Sequence, residues 1–439
     1  MSDVEKFLCN SLLGWLAIQV VLTLVFLLSL YSNQKNLLPD DQLPKTAVIL
    51  CLRGADPYLR QCLRALSRQN YPEYELKIVV DHQDDPSWNI AIDTVQGLGV
   101  TNVEISPLRN VRNNCSLKCS SLVQAVSELD DSYKVVALAD SHTVVHPNWL
   151  RELVHPLADP KVGATTGSCW YLPRGKKWWS LIPYIANVSL VIQKYLFRMP
   201  WGGSLAIKTE VIHQTGLLNK WSVALCEDIL IGSVLRKHKF KVKFVPSLFM
   251  VNREESDLPS LKDQIQRQLI SSRLYHPQPS AIIGDTISSI LIPTLVLMCL
   301  LWELFTSHWE NFALLSGCYI SYTVGLLWLM LILEQGVQQI TRDRLQPIAR
   351  ISFSTILKLL IGIPLTQWIY GLGLLSTLGM STVKWRGVSY RIQGPWNVRL
   401  EEYKPFRRAG GMGGRGAGEQ GTGGQGGQGG QGGEGGQGR

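Results

Sequence analysis

Carboxylate side chains stand directly after two apolar segments of this chain, where they could bind a nucleotide. Asp81 follows the run 76–80, and Asp140 follows the run 134–139. Apolar runs of this length, bounded by polar residues, predict buried strands. The carboxyl ends of parallel strands meet at one edge of a sheet, which is where α/β proteins bind nucleotides. The two carboxylates are therefore candidate contacts to a nucleotide.

The segment around Asp81 has the pattern of a β-α-β unit. A first apolar run covers 46–52, and apolar residues recur at helical spacing from Leu59 to Leu66 before the run 76–80. No G-x-G-x-x-G loop follows the first run, although that loop is typical of dinucleotide sites. The pattern therefore favours a nucleotide-sugar that is held by side chains.

The composition indicates a membrane protein with an anionic partner. Of the 439 residues, 46% are hydrophobic and only 18% are charged, and the formal net charge is +9. So few charged residues are unusual in a wholly soluble enzyme. A basic protein attracts nucleic acids, anionic bilayers or anionic substrates, but no nucleic-acid-binding signature is visible. We therefore expect bilayer phosphates and a sugar diphosphate as partners, and no nucleic acid.

An apolar, uncharged segment at 11–31 has the length of a bilayer-spanning helix. A cleaved signal peptide is the alternative, but the segment lacks a basic region before it and a clear small-residue cleavage site. Lys35 and Lys45 come next, and basic residues flank the cytoplasmic ends of membrane helices. The pattern predicts an integral membrane protein whose catalytic domain is cytoplasmic.

Four more apolar segments follow. Those at about 283–305 and 312–334 are predicted to form a transmembrane hairpin, because the arginines after the second are expected in the cytoplasm. The segment 353–379 contains Pro364, and the sequence leaves open whether it spans or re-enters and returns. The segment 178–199 carries basic residues and is either a helix at the membrane interface or an ordinary buried helix.

The predicted fold class is α/β, with a mostly parallel sheet joined to one N-terminal and two or three C-terminal transmembrane helices. The predicted strands are 46–52, 76–80, 101–106, 134–139 and 242–246. The predicted parts are an N-terminal membrane anchor (1–43), a cytoplasmic catalytic domain (44–280), a transmembrane region (281–392) and a Gly/Gln-rich tail (408–439) that is too polar to bury a core.

Several motifs resemble the ceramide glucosyltransferase family, a branch of the inverting family 2-type glycosyltransferases. They include L-R-G-A-D-P-Y-L from Leu52, Q-N-Y-P-E-Y-E-L from Gln69, V-D-H-Q-D-D-P from Val80, and a C-terminal W-R-x-x-x-Y from Trp385. The resemblance spans Pro44 to about Arg391. It implies a domain of the GT-A type that transfers a hexose from a UDP-sugar with inversion.

For the donor, the resemblance implies that Asp81 binds the uridine. It implies that Asp140 holds Mg²⁺ or Mn²⁺ on the diphosphate, where many transferases of this fold have a D-x-D motif. His142 replaces the second Asp of that motif, and it either ligates the cation or only donates a hydrogen bond. Lys118 matches a lysine of the family that neutralises phosphate.

For the acceptor, the resemblance implies that Asp228 is the general base and that Glu227 supports it. Carboxylates at a helix start are also favoured by the helix dipole alone. Gly203 lies in a glycine-containing segment that resembles an acceptor-side loop of the family, and a tight turn is the alternative. The Glu227–Asp228 pair and Gly203 therefore each have a structural explanation as well as a functional one.

The family motif Q/R-x-x-R-W is incomplete in this chain. Gln268 matches its first position, but Ser271 and Ser272 stand where Arg and Trp are expected. Arg267 or Arg273 would have to supply the missing cation. The missing Trp weakens the case for a processive polysaccharide synthase, which uses this motif to hold the growing chain.

The resulting hypothesis is a membrane glycosyltransferase that moves a hexose, with glucose favoured, from a UDP-sugar to a lipid hydroxyl. Ceramide is the acceptor that the resemblance implies, while diacylglycerol, a sterol-like or carotenoid alcohol and a polyprenyl phosphate stay open. The alternatives are a processive polysaccharide synthase and a catalytically inactive membrane scaffold.

Overall fold

The computed structural model of this chain describes residues 2–32, 37–172, 178–252, 258–344, 346, 348 and 350–406. The predicted Gly/Gln-rich tail at 408–439 lies outside the described residues. Two groups of elements make up the described chain: an α/β domain and a set of long apolar helices.

The described residues form ten strands. They are β1 Thr46–Leu52, β2 Tyr74–Val80, β3 Val103–Pro107, β4 Val135–Ala139, β5 Val162–Tyr171, β6 Ser204–Lys208, β7 Lys241–Asn252, β8 Thr382–Trp385, β9 Val388–Gly394 and β10 Asn397–Glu402.

The α-helices of the α/β domain are mostly short. They are α2 Leu59–Leu66, α3 Pro86–Leu98, α4 Leu117–Ser127, α5 Trp149–Val154, α6 Ile182–Phe197, α7 Thr209–Gln214, α8 Leu217–Trp221, α9 Ile229–Lys237 and α10 Leu258–Tyr275. The long apolar helices are α1 Asp3–Ser32, α11 Pro279–Phe305, α12 Trp309–Asp343 and α13 Phe353–Thr377.

Seven strands form one sheet in the order β3-β2-β1-β4-β6-β5-β7. Neighbouring strands run parallel except for β6, which is antiparallel to both β4 and β5. The predicted α/β fold with a mostly parallel sheet is confirmed. Four of the five predicted strands match within three residues at each end, and the fifth, at 242–246, lies inside the longer β7. Two further strands of the sheet, β5 and β6, were not predicted.

Both faces of the sheet are buried, as a parallel sheet requires. In β1, Val48 and Leu50 pack against α2 and α5, while Ile49 points to the opposite face and packs against α4. Because the strand is apolar on both faces, its sequence is a continuous apolar run without alternation. The sheet is therefore a rigid support for the loops at its carboxyl edge.

The four long helices are long and apolar enough to cross a membrane. One is N-terminal and three are C-terminal, so the predicted number is confirmed. Helix α6 occupies most of the segment for which an interfacial helix was considered, and its residues from Ile182 to Val188 are buried. It packs between β5 and α13, so the structure favours the alternative of a buried helix.

The strands β8–β10 follow the last apolar helix and form a small antiparallel sheet. Val383, Val388 and Tyr390 belong to the same hydrophobic core as α4 and α9. The Tyr390 hydroxyl lies 3.3 Å from the backbone nitrogen of Leu117, which donates to it. This small sheet therefore lies on the α/β domain, beside the edge where the predicted site residues meet.

Candidate active site

A cavity of about 640 Å³ opens at the carboxyl ends of β1, β2 and β4. A volume of this size is suited to a nucleotide-sized ligand. Most of the predicted site residues line it: Asp81, Lys118, Asp140, His142, Glu227, Asp228, Arg267 and Gln268. The C-terminal residues Lys384 to Gly387 and Tyr390 form another part of the wall.

Asp81 directly follows β2, and burial and a neighbouring arginine shift its pKa in opposite directions. Its side chain is 2% exposed and forms an ion pair with Arg53. Burial raises the pKa of Asp81, although the Arg53 guanidinium acts in the opposite direction. Its Oδ1 is buried and has no hydrogen-bond partner among the described residues. Such an oxygen is a ready acceptor for an N–H group of a ligand.

Arg53 is held in place by the C-terminal strands, which sequence reasoning did not connect to Asp81. Its Nε donates to the Arg386 carbonyl at 3.0 Å, and its Nη2 donates to the Lys404 carbonyl at 2.9 Å. Arg386, in the β8–β9 turn, donates in turn to the Asp56 carboxylate at 3.0 Å. The W-R-x-x-x-Y motif thus covers the Asp81 end of the cavity.

Lys118 lies between two carboxylates at the centre of the site. Its Nζ is 2.6 Å from Asp140 Oδ1 and 2.7 Å from Glu227 Oε1. Burial alone would raise the pKa of Asp140, but Lys118 and His142 lower it to about 2. Burial, reinforced by the nearby carboxylates Asp228 and Asp140, raises the pKa of Glu227 in spite of Lys118. The ion pair with Lys118 keeps Asp140 ionised at neutral pH.

The residues around Asp140 fit a divalent cation that shares its ligands with a substrate. Asp140 Oδ2 accepts no hydrogen bond from a described residue, and His142 lines the cavity two residues later. The described part of the chain has no group of three or more His, Cys, Asp and Glu side chains that could hold a metal alone. Mg²⁺ and Mn²⁺ accept one carboxylate completed by phosphates and water.

Asp228 is the N-cap of α9 and also lines the cavity. Its Oδ1 accepts a hydrogen bond from the Ile229 backbone at 2.7 Å, and its Oδ2 accepts one from the Gly202 backbone at 2.9 Å. A carboxylate oxygen has two lone pairs, so both oxygens keep one for a substrate. Asp228 therefore caps the helix, as the helix dipole alone would favour, and also lies at the site.

The two glycines after Trp201 allow backbone to approach the acidic residues closely. A Cβ at Gly202 would clash with Glu227 Oε1, and a Cβ at Gly203 would clash with the Trp201 ring and lie 2.7 Å from Asp140 Oδ2. Gly203 is not among the residues that line the cavity, and it packs behind Asp140 instead. Its lack of a side chain makes room for the Trp201 ring and for Asp140, whereas a contact with substrate was expected.

Helix α10 presents one arginine to the cavity and turns the other away. Arg267 lines the cavity, and its guanidinium carbon lies 4.7 Å from the centre of the Trp385 ring. Arg273 donates to the carbonyl of Thr377 at 2.7 Å, at the end of α13, and does not line the cavity. Of the two arginines considered as the missing cation, only Arg267 is at the site, because the helix turns the other towards α13.

Lys194 is a cation of the cavity whose importance the sequence did not indicate. It lies on α6, and its Nζ is 5.7 Å from the centre of the Trp201 ring. Its ammonium makes no hydrogen bond or ion pair with another described residue, and burial lowers its pKa. A lysine inside an otherwise apolar helix is the only signal that could have identified it.

A second cavity, of about 280 Å³, lies between α1, α6, α10, α11, α12 and α13. Apolar side chains are the majority of its wall, and polar side chains are interspersed, such as Gln193, which donates a hydrogen bond to Asp285. Leu190, Met199, Gln268 and Ser272 line both cavities. The charged cavity and this apolar one, which we call the membrane cavity, are therefore neighbours that share one wall.

Two solved structures match this chain at low sequence identity. The mannosyltransferase PcManGT from Pyrobaculum calidifontis, in complex with GDP-Man and Mn²⁺, is 14% identical, with a TM-score of 0.44 over 85% of this chain and 99% of that chain. Glucosyl-3-phosphoglycerate synthase from Mycobacterium tuberculosis, in complex with Mn²⁺ and UDP-glucose, is 15% identical, with a TM-score of 0.35 over 52% of this chain and 77% of that chain.

The sequence itself matches a family model over most of its length. The model describes glycosyl transferase family 21, and it matches residues 13–396. This range includes most of α1, the α/β domain, the C-terminal helices and the strands β8 and β9. The resemblance inferred from the sequence is thereby confirmed, and the chain belongs to glycosyl transferase family 21, the ceramide glucosyltransferase family.

Proposed function

We propose that this glycosyltransferase moves a hexose, with glucose favoured, from a UDP-sugar to the hydroxyl group of a membrane lipid with inversion. The observation that carries the proposal is the contact between the two cavities. A charged cavity at the strand ends adjoins an apolar cavity between helices that are long enough to cross a membrane.

The donor fits the charged cavity from its Asp81 end to its Lys118 end. Asp81 Oδ1 can accept the N–H of a uracil ring, and no second described residue competes for it. Lys118, Lys194 and Arg267 supply positive charge near a diphosphate. Such charge stabilises the leaving UDP as its bond to the sugar breaks.

In this proposal Asp140, with His142, holds Mg²⁺ or Mn²⁺ on the diphosphate. The free Oδ2 of Asp140 and its lowered pKa support this role, because a metal ligand has to be deprotonated. The cation would act as a Lewis acid that offsets negative charge on the leaving group. The Asp140–Lys118–Glu227 arrangement supports Asp140 in its ionised form.

Asp228 is the proposed general base. It would take the proton of the acceptor hydroxyl while the hydroxyl oxygen bonds to the anomeric carbon and the bond to UDP breaks. The reaction inverts the configuration because attack and departure occur on opposite sides of that carbon. The two backbone N–H groups on Asp228 hold its carboxylate in one orientation, which favours proton transfer at a fixed position.

We also propose that the α/β domain lies in the cytoplasm. Basic residues flank the long apolar helices on the side of this domain, and such residues favour the cytoplasmic side of a membrane. The chain contacts this domain just before α13, where Gln346 donates to the Val144 carbonyl at 3.1 Å. It contacts the domain again after α13, where the Leu400 backbone donates to the Asn113 carbonyl at 2.8 Å. Both flanks of α13 contact the α/β domain, so we infer that this single continuous helix does not carry the chain across the bilayer.

The experiment is radiolabelled UDP-sugar transfer by membranes that contain the protein, followed by mass spectrometry of the product. A discrete glycolipid is the expected product. A water-soluble polymer would support a processive polysaccharide synthase, and UDP binding without transfer would support an inactive scaffold. Protease added to intact, right-side-out cells should leave residues 44–275 uncut, and cleavage within that range would overturn the cytoplasmic assignment.

A further inference from the structure

A run of basic residues joins the end of α9 to the start of β7, on a part of the surface that the proposed chemistry does not use. Its five cations are Arg236, Lys237, Lys239, Lys241 and Lys243, and we call their side chains the basic surface. No aspartate or glutamate lies between Asp228 and Glu254 in the sequence. All five side chains are exposed, and none forms an ion pair with a described residue.

Lys239 has a backbone conformation that usually requires glycine. Its φ is 64°, and its backbone nitrogen donates to the Arg236 carbonyl at 3.1 Å, where α9 ends. Helices commonly end on a residue in this left-handed conformation, and that residue is most often glycine because a Cβ is strained there. The lysine therefore weakens the helix end and makes no ion pair within the described chain. This indicates that its side chain has a partner outside the protein.

Two structural explanations account for parts of the basic surface but not for the whole. Strand β7 is at an edge of the sheet, and lysines on an edge strand oppose pairing with another chain. Basic residues in the last turn of α9 are favoured by the helix dipole. Neither explanation applies to Lys239, which belongs to the turn between the two elements. The continuous surface, which lacks carboxylates in its own segment, fits a partner with many negative charges.

One end of the basic surface lies beside the first residues of α11. Gly232, one turn before Arg236, packs against the segment that leads into this helix, since a Cβ on Gly232 would lie 4.0 Å from Pro277 Cδ. Burial lowers the pKa of His276, and the charge of Arg236 lowers it further. Helix α11 begins at Pro279. Arg236 is therefore close to the point where the chain enters the long apolar helices.

The other end of the basic surface lies beside the last turns of α1. Phe244 follows Lys243 and points to the buried side of β7, where its ring centre lies 5.8 Å from that of Tyr195. The Tyr195 ring centre lies in turn 5.3 Å from that of Phe26, and α1 ends soon afterwards at Ser32. The basic surface therefore extends between the ends of two helices that are long and apolar enough to cross a membrane.

We propose that the basic surface binds the phosphate headgroups of anionic lipids, in the leaflet that faces the α/β domain. Headgroups lie at the level where α1 and α11 leave the apolar part of a bilayer, and they present many negative charges in one plane. Each Lys or Arg close to an anionic bilayer gives about a fivefold preference for it. The contact would hold the α/β domain against the bilayer on its β7 side. This inference goes beyond the proposed function, because it depends on neither the donor nor the acceptor.

The test is lysine footprinting of the full chain in two kinds of lipid nanodisc. One kind contains phosphatidylcholine alone, and the other contains phosphatidylcholine and phosphatidylglycerol in equal parts. A neutral acylating reagent modifies accessible lysines, and mass spectrometry gives the rate at each of them. The four lysines of the basic surface should react about fivefold more slowly in the anionic nanodiscs. High salt should remove this protection, because it screens the charges.

Lys134 is an internal control in the same chain. It is exposed and directly precedes β4, which is three strands away from β7 in the sheet. Because neighbouring strands are about 4.8 Å apart, this places it about 14 Å from β7, beyond the screening length of about 8 Å at physiological salt. Its acylation rate should be the same in both kinds of nanodisc.

Two double variants separate this surface from a general effect of net charge. Arg236→Gln with Lys239→Gly should reduce the protection of the remaining lysines to about twofold or less. Arg64→Gln with Arg68→Gln removes the same charge from exposed positions of α2 and should leave the protection unchanged. Lys239→Gly alone should not lower the melting temperature, because glycine adopts a φ of 64° without strain.

Three results would overturn the proposal. They are equal acylation rates in the two kinds of nanodisc, equal protection of Lys134, and protection in both kinds that high salt does not reverse. A lower melting temperature of Lys239→Gly without loss of protection would also count against it, because the lysine would then serve the fold. The footprint is read without any sugar transfer, so a failure of the proposed function would leave the lipid contact standing.

Discussion

The charged cavity and the membrane cavity are built in opposite ways. The charged cavity takes its acidic groups from positions directly after strands or at a helix start, as with Asp81, Asp140 and Asp228. The membrane cavity takes its wall from six helices, α1, α6 and α10 to α13, which span most of the chain. The first is polar and braced by ion pairs, and the second is apolar and shaped by helix packing.

This difference suggests that donor chemistry and acceptor choice are separable in this protein. Substitutions at the strand ends should change the rate or the donor affinity, whatever lipid is offered. Substitutions between the helices should change which lipid enters and should leave the donor affinity alone.

Removing the carboxylate of Asp140 should have the largest effect. Asp140→Ala should abolish measurable transfer, and chelation by EDTA should inhibit the wild type, because the proposed cation is worth several kcal/mol of charge stabilisation. Radiolabelled transfer measures both effects. Full wild-type activity in chelator would remove the metal from the proposal and would leave Asp140 as a direct contact to the donor.

Asp228→Asn should lower turnover about 10²–10⁴-fold, the usual range for loss of a general base. Asn keeps the shape of the side chain and one acceptor oxygen, but it cannot take the proton. UDP-sugar affinity should change little, which titration calorimetry can measure. If Glu227→Gln is the damaging variant instead, the two roles are reversed, and a proportional loss of donor affinity in both variants would indicate that the base lies elsewhere.

Lys118→Met should slow transfer about 10–100-fold, since hydrogen bonds to charged groups contribute about 1.5–3 kcal/mol. Lys118 lowers the pKa values of both Asp140 and Glu227. Without it both pKa values rise, so the carboxylates become protonated at a higher pH and the acid limb of the pH–rate profile moves upward. An unmoved acid limb in a variant that still binds UDP would contradict this assignment.

The two arginines of α10 form the matched pair with the smallest effects. Arg267→Gln should raise the KM for the UDP-sugar about tenfold, because it removes one charge-assisted contact. Arg273→Gln should leave that KM unchanged and should lower the free energy of unfolding by about 1 kcal/mol through the lost bond to the end of α13. If Arg273→Gln raised the KM and Arg267→Gln did not, Arg273 would be the cation that replaces the missing arginine of the motif. The separation of donor binding from helix packing would then be wrong.

Much of the α/β domain could be predicted from its apolar runs. The run 46–52 is strand β1 without any shift, since a strand buried on both faces must be apolar throughout. Strand β5, in contrast, is buried over nearly its whole length but contains threonine, serine and glycine, so it carries no apolar run. The strands β8–β10 alternate polar and apolar residues, and β8 and most of β9 fall within the segment 281–392, which was predicted to be a transmembrane region.

By itself, the sequence determined where β1, β2 and β4 end and that Asp81 and Asp140 follow two of them, because these are local properties of the chain. Only the tertiary structure decided that Lys118 bridges Asp140 and Glu227, that Arg273 turns away from the site, and that Ser272 lies between two cavities. These neighbours are separated by tens to hundreds of residues. They meet because helices pack wherever their apolar faces can be buried, which no local pattern specifies.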